Sequence, residues 1–181
     1  MSVDELALLI CRSLQRSPAV EIDGLGTFER DDTGRISFRD GNRPRVFIAY
    51  AEEDLEAAER LFRIFESHGY SAWLDRRRLL PGQNWPRRIQ DAIESADFVI
   101  PCFSRNSVRK RGGFQAELRF ALDCASRMPL DDVYLIPARL NECRVPARIQ
   151  RETQYVDLFP DWDGGCERII KIIEKQRRLA A

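Results

Sequence analysis

Hydrophobic positions from residue 44 onward alternate between two kinds of pattern. Continuous apolar runs are typical of β-strands covered on both faces, and stripes at three- and four-residue spacing are typical of amphipathic helices. The runs predict strands at residues 46–50, 70–74, 98–103, 133–140 and 155–159. The stripes predict helices at residues 54–68, from near Pro86, at 113–127 and at 167–178. This alternation predicts an α/β domain with a parallel sheet, right-handed crossovers and helices on both faces.

The first 43 residues follow a different pattern. Leu6, Leu9, Ile10 and Leu14 form the apolar stripe of a short helix, and short alternating segments follow it around glycine-containing turns. This pattern predicts one helix and β-hairpin strands. A segment of this length is too small to hold a core alone, so we expect it to dock on another surface. The predicted division is an N-terminal extension at residues 1–43 and a domain at residues 44–181.

Composition and charge narrow the classes of function. Apolar residues make up 44% of the 181 residues and charged residues 32%, a balance that allows one sizeable core. Lys plus Arg and Asp plus Glu both number 29, so the net charge does not point to nucleic acid or to an anionic membrane. The sequence has no apolar run long enough for a membrane span, and its start lacks the charge order of a signal peptide. These features predict a cytoplasmic protein.

The cysteines and the single histidine offer little for metal binding or nucleophilic catalysis. None of the five cysteines has CxxC spacing, and several lie inside apolar runs, which favours buried, reduced thiols. With His68 as the only histidine, a zinc cluster is not expected. His68 precedes Gly69 at a predicted helix end, where capping is favoured over catalysis.

The predicted sheet also indicates where a ligand would bind. Ligands of parallel α/β sheets bind at the carboxyl ends of the strands, near a switch in strand order. The candidate site therefore lies on the loops after the first three strands of the domain, at residues 51–53, 75–85 and 104–113.

Three segments on these strands and loops resemble the sequence boxes of TIR (Toll/interleukin-1 receptor) domains. The apolar run at residues 46–50 and the acids after it resemble the first box. Leu74-Asp75, Leu79, Pro81-Gly82 and Trp85 resemble the second box and its long loop. Ser104 and the segment at 114–118 resemble the part that carries the catalytic glutamate in NAD-consuming TIR domains of bacterial type. The resemblance implies a flavodoxin-like five-stranded parallel sheet of order 2-1-3-4-5, and we expect residues 54–68 and 113–127 on opposite faces or edges of this sheet.

The resemblance implies that Glu117 is the catalytic residue. The substrate-binding residues it implies are Tyr50, Ala51, Asp75, Arg78, Leu79, Trp85, Ser104 and Phe114. One position departs from the family, because many enzymatic TIR domains have a tryptophan four residues before the glutamate and this chain has Gly113. Phe114 or Trp85 could supply the missing aromatic surface.

Glu117 also stands out by its position alone. It follows Phe114 by three residues and precedes Ala121 by four, which places it at the edge of the buried stripe, in the first turn of the predicted helix. The alternative is an ordinary first-turn glutamate favoured by the helix dipole. A lone carboxylate suits NAD, because nicotinamide leaves from a cationic ring and needs no acid, whereas ordinary glycosidases need two carboxylates. One negative charge can stabilise the oxocarbenium-like centre that forms.

The other candidate residues each keep a structural alternative. Asp75 is equally suited to a turn at a strand end, and Trp85 could pack on its helix or lie against a base or nicotinamide. Ser104 could bind substrate or turn the chain. The basic runs at residues 76–78 and 109–111 flank the predicted pocket. Solvated loop charge is the usual interpretation of such runs, but a pyrophosphate nearby would give one or two of them a role.

Three functions remain open from the sequence. The first is an enzyme that cleaves NAD+ to nicotinamide and ADP-ribose or a cyclic ADP-ribose isomer, for which the resemblance implies a setting in antiphage defence signalling. NAD+ is then the substrate, and neither a cofactor nor a metal is expected. The second is a non-catalytic TIR–TIR interaction module. The third is a domain that senses a nucleotide without turnover.

The loop at residues 75–85 bears on assembly. It is longer than the roughly two to six residues that join most strands to helices. In TIR domains the corresponding loop inserts into a neighbour, so the resemblance implies self-association, whereas the alternative is a lid over its own pocket. A downstream effector or an upstream sensor protein is a further expected partner.

Overall fold

The structure is a computed structural model that describes residues 3–22, 25–31, 34–40, 43–74 and 85–180. The chain divides into two units, Met1–Pro44 and Arg45–Ala181. Among the helices in the described ranges, none is both long and apolar enough to cross a membrane.

The first unit contains the predicted helix and strands. Helix α1 (Val3–Leu14) buries Ile10 and Leu14. Strands β1 (Ala19–Ile22), β2 (Gly26–Arg30) and β3 (Ile36–Asp40) form an antiparallel sheet in that order. Phe28 and Phe38 lie opposite each other on β2 and β3, with ring centroids 4.6 Å apart. Such cross-strand aromatic pairs stabilise a small sheet.

The second unit is built on a five-stranded sheet. Its strands are β4 (Arg45–Ala49), β5 (Ser71–Trp73), β6 (Phe98–Phe103), β7 (Ala138–Arg139) and β8 (Val156–Asp157). Every neighbouring pair is parallel, and the order β5-β4-β6-β7-β8 is the predicted 2-1-3-4-5 order. The flavodoxin-like fold class is therefore confirmed.

Helices cover both faces of this sheet. One face carries α2 (Leu55–Ser67) and α6 (Trp162–Ala180), and the other carries α3 (Trp85–Glu94), α4 (Gly113–Ala125) and α5 (Ala147–Glu152). Leu61 of α2 and Ile169 of α6 share a buried cluster with Ile48 and Ile100 of the sheet. Leu118 of α4 belongs to the cluster on the opposite face. The expected placement of residues 54–68 and 113–127 on opposite faces is correct.

The later strands are shorter than the apolar runs predicted. Residues 133–140 contain only the two-residue strand β7 and an isolated parallel bridge between Leu135 and Val99. Pro137 lies between them, and it has no N–H to donate to a ladder. Its carbonyl still accepts from Val156 N at 2.8 Å, so this stretch lies alongside its neighbours without regular pairing on both sides.

The last helix begins at Trp162 rather than at residue 167, the predicted start. Gly164 and Gly165 have low helix propensity, which disfavours a helix here. Asp161 nevertheless caps this end of the helix, because Gly164 N donates a hydrogen bond to Asp161 Oδ1 at 3.0 Å. Gly165 also allows close packing: a Cβ there would lie 2.6 Å from Asp157 O. The short helix α5 after Pro146 was not predicted, because six residues show too little of a periodic stripe.

We expect Gly165→Ala to destabilise the domain, although alanine is the better helix former by roughly 1 kcal/mol. The added Cβ would lie 2.6 Å from Asp157 O and 3.0 Å from Leu158 Cα, so backbone atoms would have to move. Overpacking of this kind costs about 1–3 kcal/mol. Denaturant unfolding of the variant and the parent protein measures the difference.

Gly164→Ala is the matched control for this experiment. A Cβ at Gly164 meets only the exposed Asp161 carboxylate, which can rotate away and give up its capping bond. The stability lost with the capping bond and the stability gained from the better helix propensity of alanine are of similar size. The free energy of unfolding of Gly164→Ala should therefore stay close to that of the parent protein. If Gly165→Ala proved as stable as Gly164→Ala, the close approach of α6 to β8 would be wrong.

Candidate functional site

A cleft opens at the carboxyl ends of β4 and β6. These strands lie side by side where the strand order reverses, the position at which such sheets bind ligands. The lining residues are Tyr50, Ala51, Glu52, Lys110, Arg111, Gly112, Gly113, Phe114 and Glu117. The volume of about 180 Å³ is below the roughly 300–1,000 Å³ typical of small-molecule sites, so this cleft could hold only part of a ligand as large as a dinucleotide.

Glu117 is the buried acid of this cleft. It is 9% exposed and shares the inner side of α4 with Phe114, Leu118 and Ala121. Phe114 packs edge-on against Phe103 with ring centroids 5.7 Å apart, which holds the start of α4 against β6. Glu117 is the fifth residue of the helix, which corrects the expected position in the first turn. The helix-dipole explanation for this glutamate is therefore weaker than the sequence suggested, because the dipole acts mainly on the first turn.

Two glycines shape the wall in front of Glu117. Gly112 precedes α4 with φ 130° and ψ −149°, backbone angles open essentially only to glycine. Gly113 is the first residue of the helix, and a Cβ there would lie 3.6 Å from Glu117 Oε1. A side chain at residue 113 would thus begin in contact with the carboxylate, and glycine leaves that space to the cleft.

Two cations lie on the same side of the cleft. Lys110 Nζ forms an ion pair with Glu53 Oε1 at 2.5 Å, in which both side chains are nearly half exposed. Arg111 lines the cleft and makes no ion pair with any residue in the described ranges. A guanidinium in this position can bind a phosphate through paired hydrogen bonds.

Behind the cleft lies a polar cluster in which Asp54, Ser104 and Ser107 are buried and Asn106 is exposed. Asp54 is 7% exposed and Ser104 fully buried. Ser104 Oγ donates to Asp54 Oδ2 at 2.5 Å, and Asn106 Nδ2 donates to Asp54 Oδ1 at 3.2 Å. The cluster joins the segment after β4 to the segment after β6. Sequence reasoning did not single out Asp54, Asn106 or Ser107; the Ser-x-x-Ser spacing directly after a strand was the available signal for a turn of this kind.

The structure brings together four of the predicted site residues. Tyr50, Ala51, Phe114 and Glu117 all line the cleft. Ser104 does not line it, because its hydroxyl is buried and bonded to Asp54. Asp75, Arg78 and Leu79 lie outside the described residues, as does the side chain of Trp85, the first residue of α3. Their substrate-binding roles therefore stay predictions.

The cysteines and His68 do not form a nucleophilic site. Cys102, Cys124 and Cys166 are buried, as favoured for cysteines in apolar runs, whereas Cys143 is partly buried and Cys11 is exposed. Burial raises the pKa of the Cys102 thiol, and the nearby charge of Asp54 raises it further. Burial likewise raises the pKa of Cys166 to about 11. His68 follows α2 and its Nδ1 contacts Ile64 O at 2.8 Å, the expected capping position. Within the described ranges, no group of three or more His, Cys, Asp or Glu side chains could hold a metal.

The fold and the cleft define a flavodoxin-like α/β domain with its ligand site at the switch point. The family model for the TIR domain matches residues 46–170, so the chain belongs to the TIR domain family. A protein designated y4cD from Sinorhizobium fredii is 26% identical over 136 residues. That match covers 75% of this chain but 21% of the relative, so the chain spans about a fifth of the length of the curated relative it matches.

Solved structures of similar fold include both receptor and enzyme domains. The TIR domain of the Toll-related receptor TRR-2 from Hydra magnipapillata has a TM-score of 0.58 and 24% identity, covering 73% of this chain and 97% of that one. The CMP N-glycosidase BcmB from Clostridium botulinum has a TM-score of 0.51 and 18% identity, covering 71% and 98%. At these identities the likeness shows a shared fold.

We expect Gly112→Ala to destabilise the domain by about 1–3 kcal/mol, because alanine is strained at these backbone angles. Gly113→Ala is the neighbouring control: its φ is not positive and its Cβ makes only an ordinary contact with Glu117, so stability should be equal or slightly higher. Thermal unfolding of the two variants compares them directly. Equal stability of both variants would show that the turn before α4 does not need a glycine.

Proposed function

We propose that this TIR domain cleaves the N-glycosidic bond between nicotinamide and ribose in NAD+, with Glu117 as its catalytic residue. The observation that carries the proposal is a buried carboxylate lining a cleft at the switch point of the sheet. Such sheets bind nucleotides at this point. The CMP N-glycosidase of similar fold acts on a bond of the same class, which supports the choice of bond.

The chemistry needs one negative charge near the anomeric carbon. As the bond from C1′ to the pyridinium nitrogen breaks, its electron pair leaves with nicotinamide, which departs neutral without being protonated. Positive charge develops on the ribose, and a carboxylate fixed on the cleft wall stabilises it. Attack of water on C1′, with loss of a proton, gives ADP-ribose. Attack by a nucleophilic atom of the same substrate gives a cyclic isomer.

The cations of the cleft suit the rest of the substrate. NAD+ carries a diphosphate, and Arg111 and Lys110 line the side of the cleft at the start of α4. A diphosphate bound there adds affinity through charge-assisted hydrogen bonds. This arrangement supports a dinucleotide rather than a simple nucleoside as the substrate.

The proposed setting is a bacterial antiphage defence signal produced by self-associated domains. The defence setting rests on the family resemblance and on the bacterial relative. Self-association rests on the resemblance and on the length of the loop at residues 75–85, most of which lies outside the described residues. A non-catalytic interaction module is the alternative outcome, and turnover assays separate the two.

Glu117→Gln should lower NAD+ turnover by about two or more orders of magnitude, because it keeps the size of the side chain and removes the charge that stabilises the transition state. Chromatography of nicotinamide and ADP-ribose products measures turnover. Assays across a range of protein concentrations test self-association at the same time, since an assembled site would raise specific activity with concentration.

Asp123→Asn is the matched control for Glu117→Gln, since it removes an exposed carboxylate from the same helix away from the cleft. Its turnover should equal that of the parent protein. Equal turnover by Glu117→Gln and Asp123→Asn would eliminate Glu117 as the catalytic residue, and no turnover by the parent protein at any concentration would favour the interaction module.

Arg111→Gln should raise the KM for NAD+ by about ten- to a hundredfold while leaving kcat nearly unchanged, because it removes a phosphate contact of roughly 1.5–3 kcal/mol. Nicotinamide riboside has no phosphate, so its kcat/KM should be unaffected. Arg109→Gln, on the same loop but outside the cleft lining, is the control. Equal losses for both substrates in Arg111→Gln would contradict a phosphate contact.

A further inference from the structure

We propose that Asp54 is a positioning residue of the cleft: through its side-chain hydrogen bonds to Ser104 and Asn106 it fixes the position of the cationic segment that binds the phosphates of the substrate. This inference rests on the proposed function and names a residue that acts on substrate affinity without touching the substrate. Asp54 is absent from the cleft lining, but residues 50–52, shortly before it in the chain, belong to that lining.

Asp54 does not perform the usual role of an aspartate at the start of a helix. It is the N-cap residue of α2, a position where aspartate commonly accepts a bond from a backbone N–H of the first turn. Here no side-chain capping bond forms, and the carboxylate is turned inward. One oxygen accepts from Ser104 Oγ at 2.5 Å and the other from Asn106 Nδ2 at 3.2 Å. A buried carboxylate needs such partners, because a buried charge without them is costly.

Ser104 connects the Asp54 carboxylate to the backbone after β6. Its Oγ accepts from the N–H groups of Asn106 and Ser107, both at 3.1 Å. Ser107 Oγ in turn accepts from Ser104 N at 2.8 Å. The hydroxyl of Ser104 therefore has one direction left for its own hydrogen, and that direction is taken by Asp54. In the turn at residues 104–107 these bonds use the donor and both acceptor positions of the Ser104 hydroxyl at once.

The turn is connected to the cleft at two further places. Gln115 Nε2 donates to Ser107 O at 3.0 Å, which ties the turn to the first residues of α4. The ion pair between Lys110 and Glu53 joins the same segment to the residue before Asp54. The two walls of the cleft, at residues 50–52 and 110–114, are thus joined by the buried Asp54 carboxylate and by the half-exposed ion pair between Lys110 and Glu53.

This placement predicts a selective effect on the substrate. Glu117 belongs to the regular part of α4, whose own backbone bonds hold it in place. Lys110 and Arg111 lie on the segment between the turn and the helix, so they move first when the turn loosens. Loss of Asp54 should therefore weaken binding of the phosphates and raise KM, while the reaction of a substrate without phosphates changes little.

The first measurement is hydrogen exchange, read by mass spectrometry on peptides covering residues 104–112 of the full chain. Asp54→Ala should raise exchange there by about tenfold or more, as expected for loss of bonds to a charged group. Asp54→Asn should stay close to the parent protein, because rotation of the Asn106 amide lets the new side chain keep both bonds. Should Asp54→Ala fail to fold, Ser104→Ala carries the same expectation.

Asp97→Ala is the control for general loss of stability. Asp97 also bonds to the backbone, because it accepts a hydrogen bond from Arg45 N at 2.7 Å. It lies at the amino ends of β4 and β6, whereas the cleft lies at their carboxyl ends. Its loss should leave exchange at residues 104–112 unchanged. Unchanged exchange in Asp54→Ala and Ser104→Ala, or an equal increase in Asp97→Ala, would overturn the positioning role whether or not the protein consumes NAD+.

The second measurement compares the kinetics of NAD+ and nicotinamide riboside. In Asp54→Ala we expect the KM for NAD+ to rise by about tenfold, with kcat for NAD+ and kcat/KM for nicotinamide riboside close to those of the parent protein. Asp54→Asn should restore the parent KM. A fall in kcat with unchanged KM, or equal losses for both substrates, would overturn the inference. If the parent protein turned over neither substrate, the proposed function would fail and the exchange experiment alone would decide the role of Asp54.

Discussion

The parallel pairing of β4 with β6 is the constraint on which the rest of the domain depends. Val46, Phe47 and Ile48 are fully buried on a strand with neighbours on both sides and helices on both faces. Such a strand has no solvent-facing side and forms only inside a completed α/β sandwich. Because β5 lies on one side of β4 and β6 on the other, the chain reverses direction across the sheet at this pair. The reversal leaves the crevice in which the cleft lies.

The architecture and the location of the site could be predicted from the sequence, because both depend on long, strongly periodic patterns. The strand order, the opposite faces of α2 and α4, and the burial of Glu117 beside Phe114 all follow from apolar spacing and from the resemblance. The lengths of the later strands could not be predicted, since Pro137 interrupts a ladder without interrupting the apolar run. The early start of α6 was missed for the opposite reason: Gly165 is a poor helix former that close packing against Asp157 requires.

The polar cluster behind the cleft shows a different limit. In the sequence, Asp54 is one of several acids at the start of a predicted helix, and Ser104 is a candidate either for substrate binding or for a chain turn. Only their meeting across 50 positions of sequence reveals that they bond to each other. Long-range polar contacts leave no periodic signal, because they depend on where the ends of two strands come to lie. Residues that shape a site from behind are therefore harder to predict than residues that line it.

Asp54 and Glu117 lie near the same strand ends, and their different surroundings suit them to the two different roles proposed for them. Asp54 has both oxygens bonded to side chains, and one of these, Ser104, is itself held by two backbone N–H groups, so the Asp54 charge is held in place and does not line the cleft. Glu117 lines the cleft beside a glycine wall, where an added Cβ would already be in contact with its carboxylate. A charge that must stabilise a transient cation has to be both preorganised and reachable, and Glu117 meets both conditions. Asp54 meets only the first, which suits it to the proposed role of holding the cleft in shape, whereas the proposed role of Glu117 is to act on the substrate.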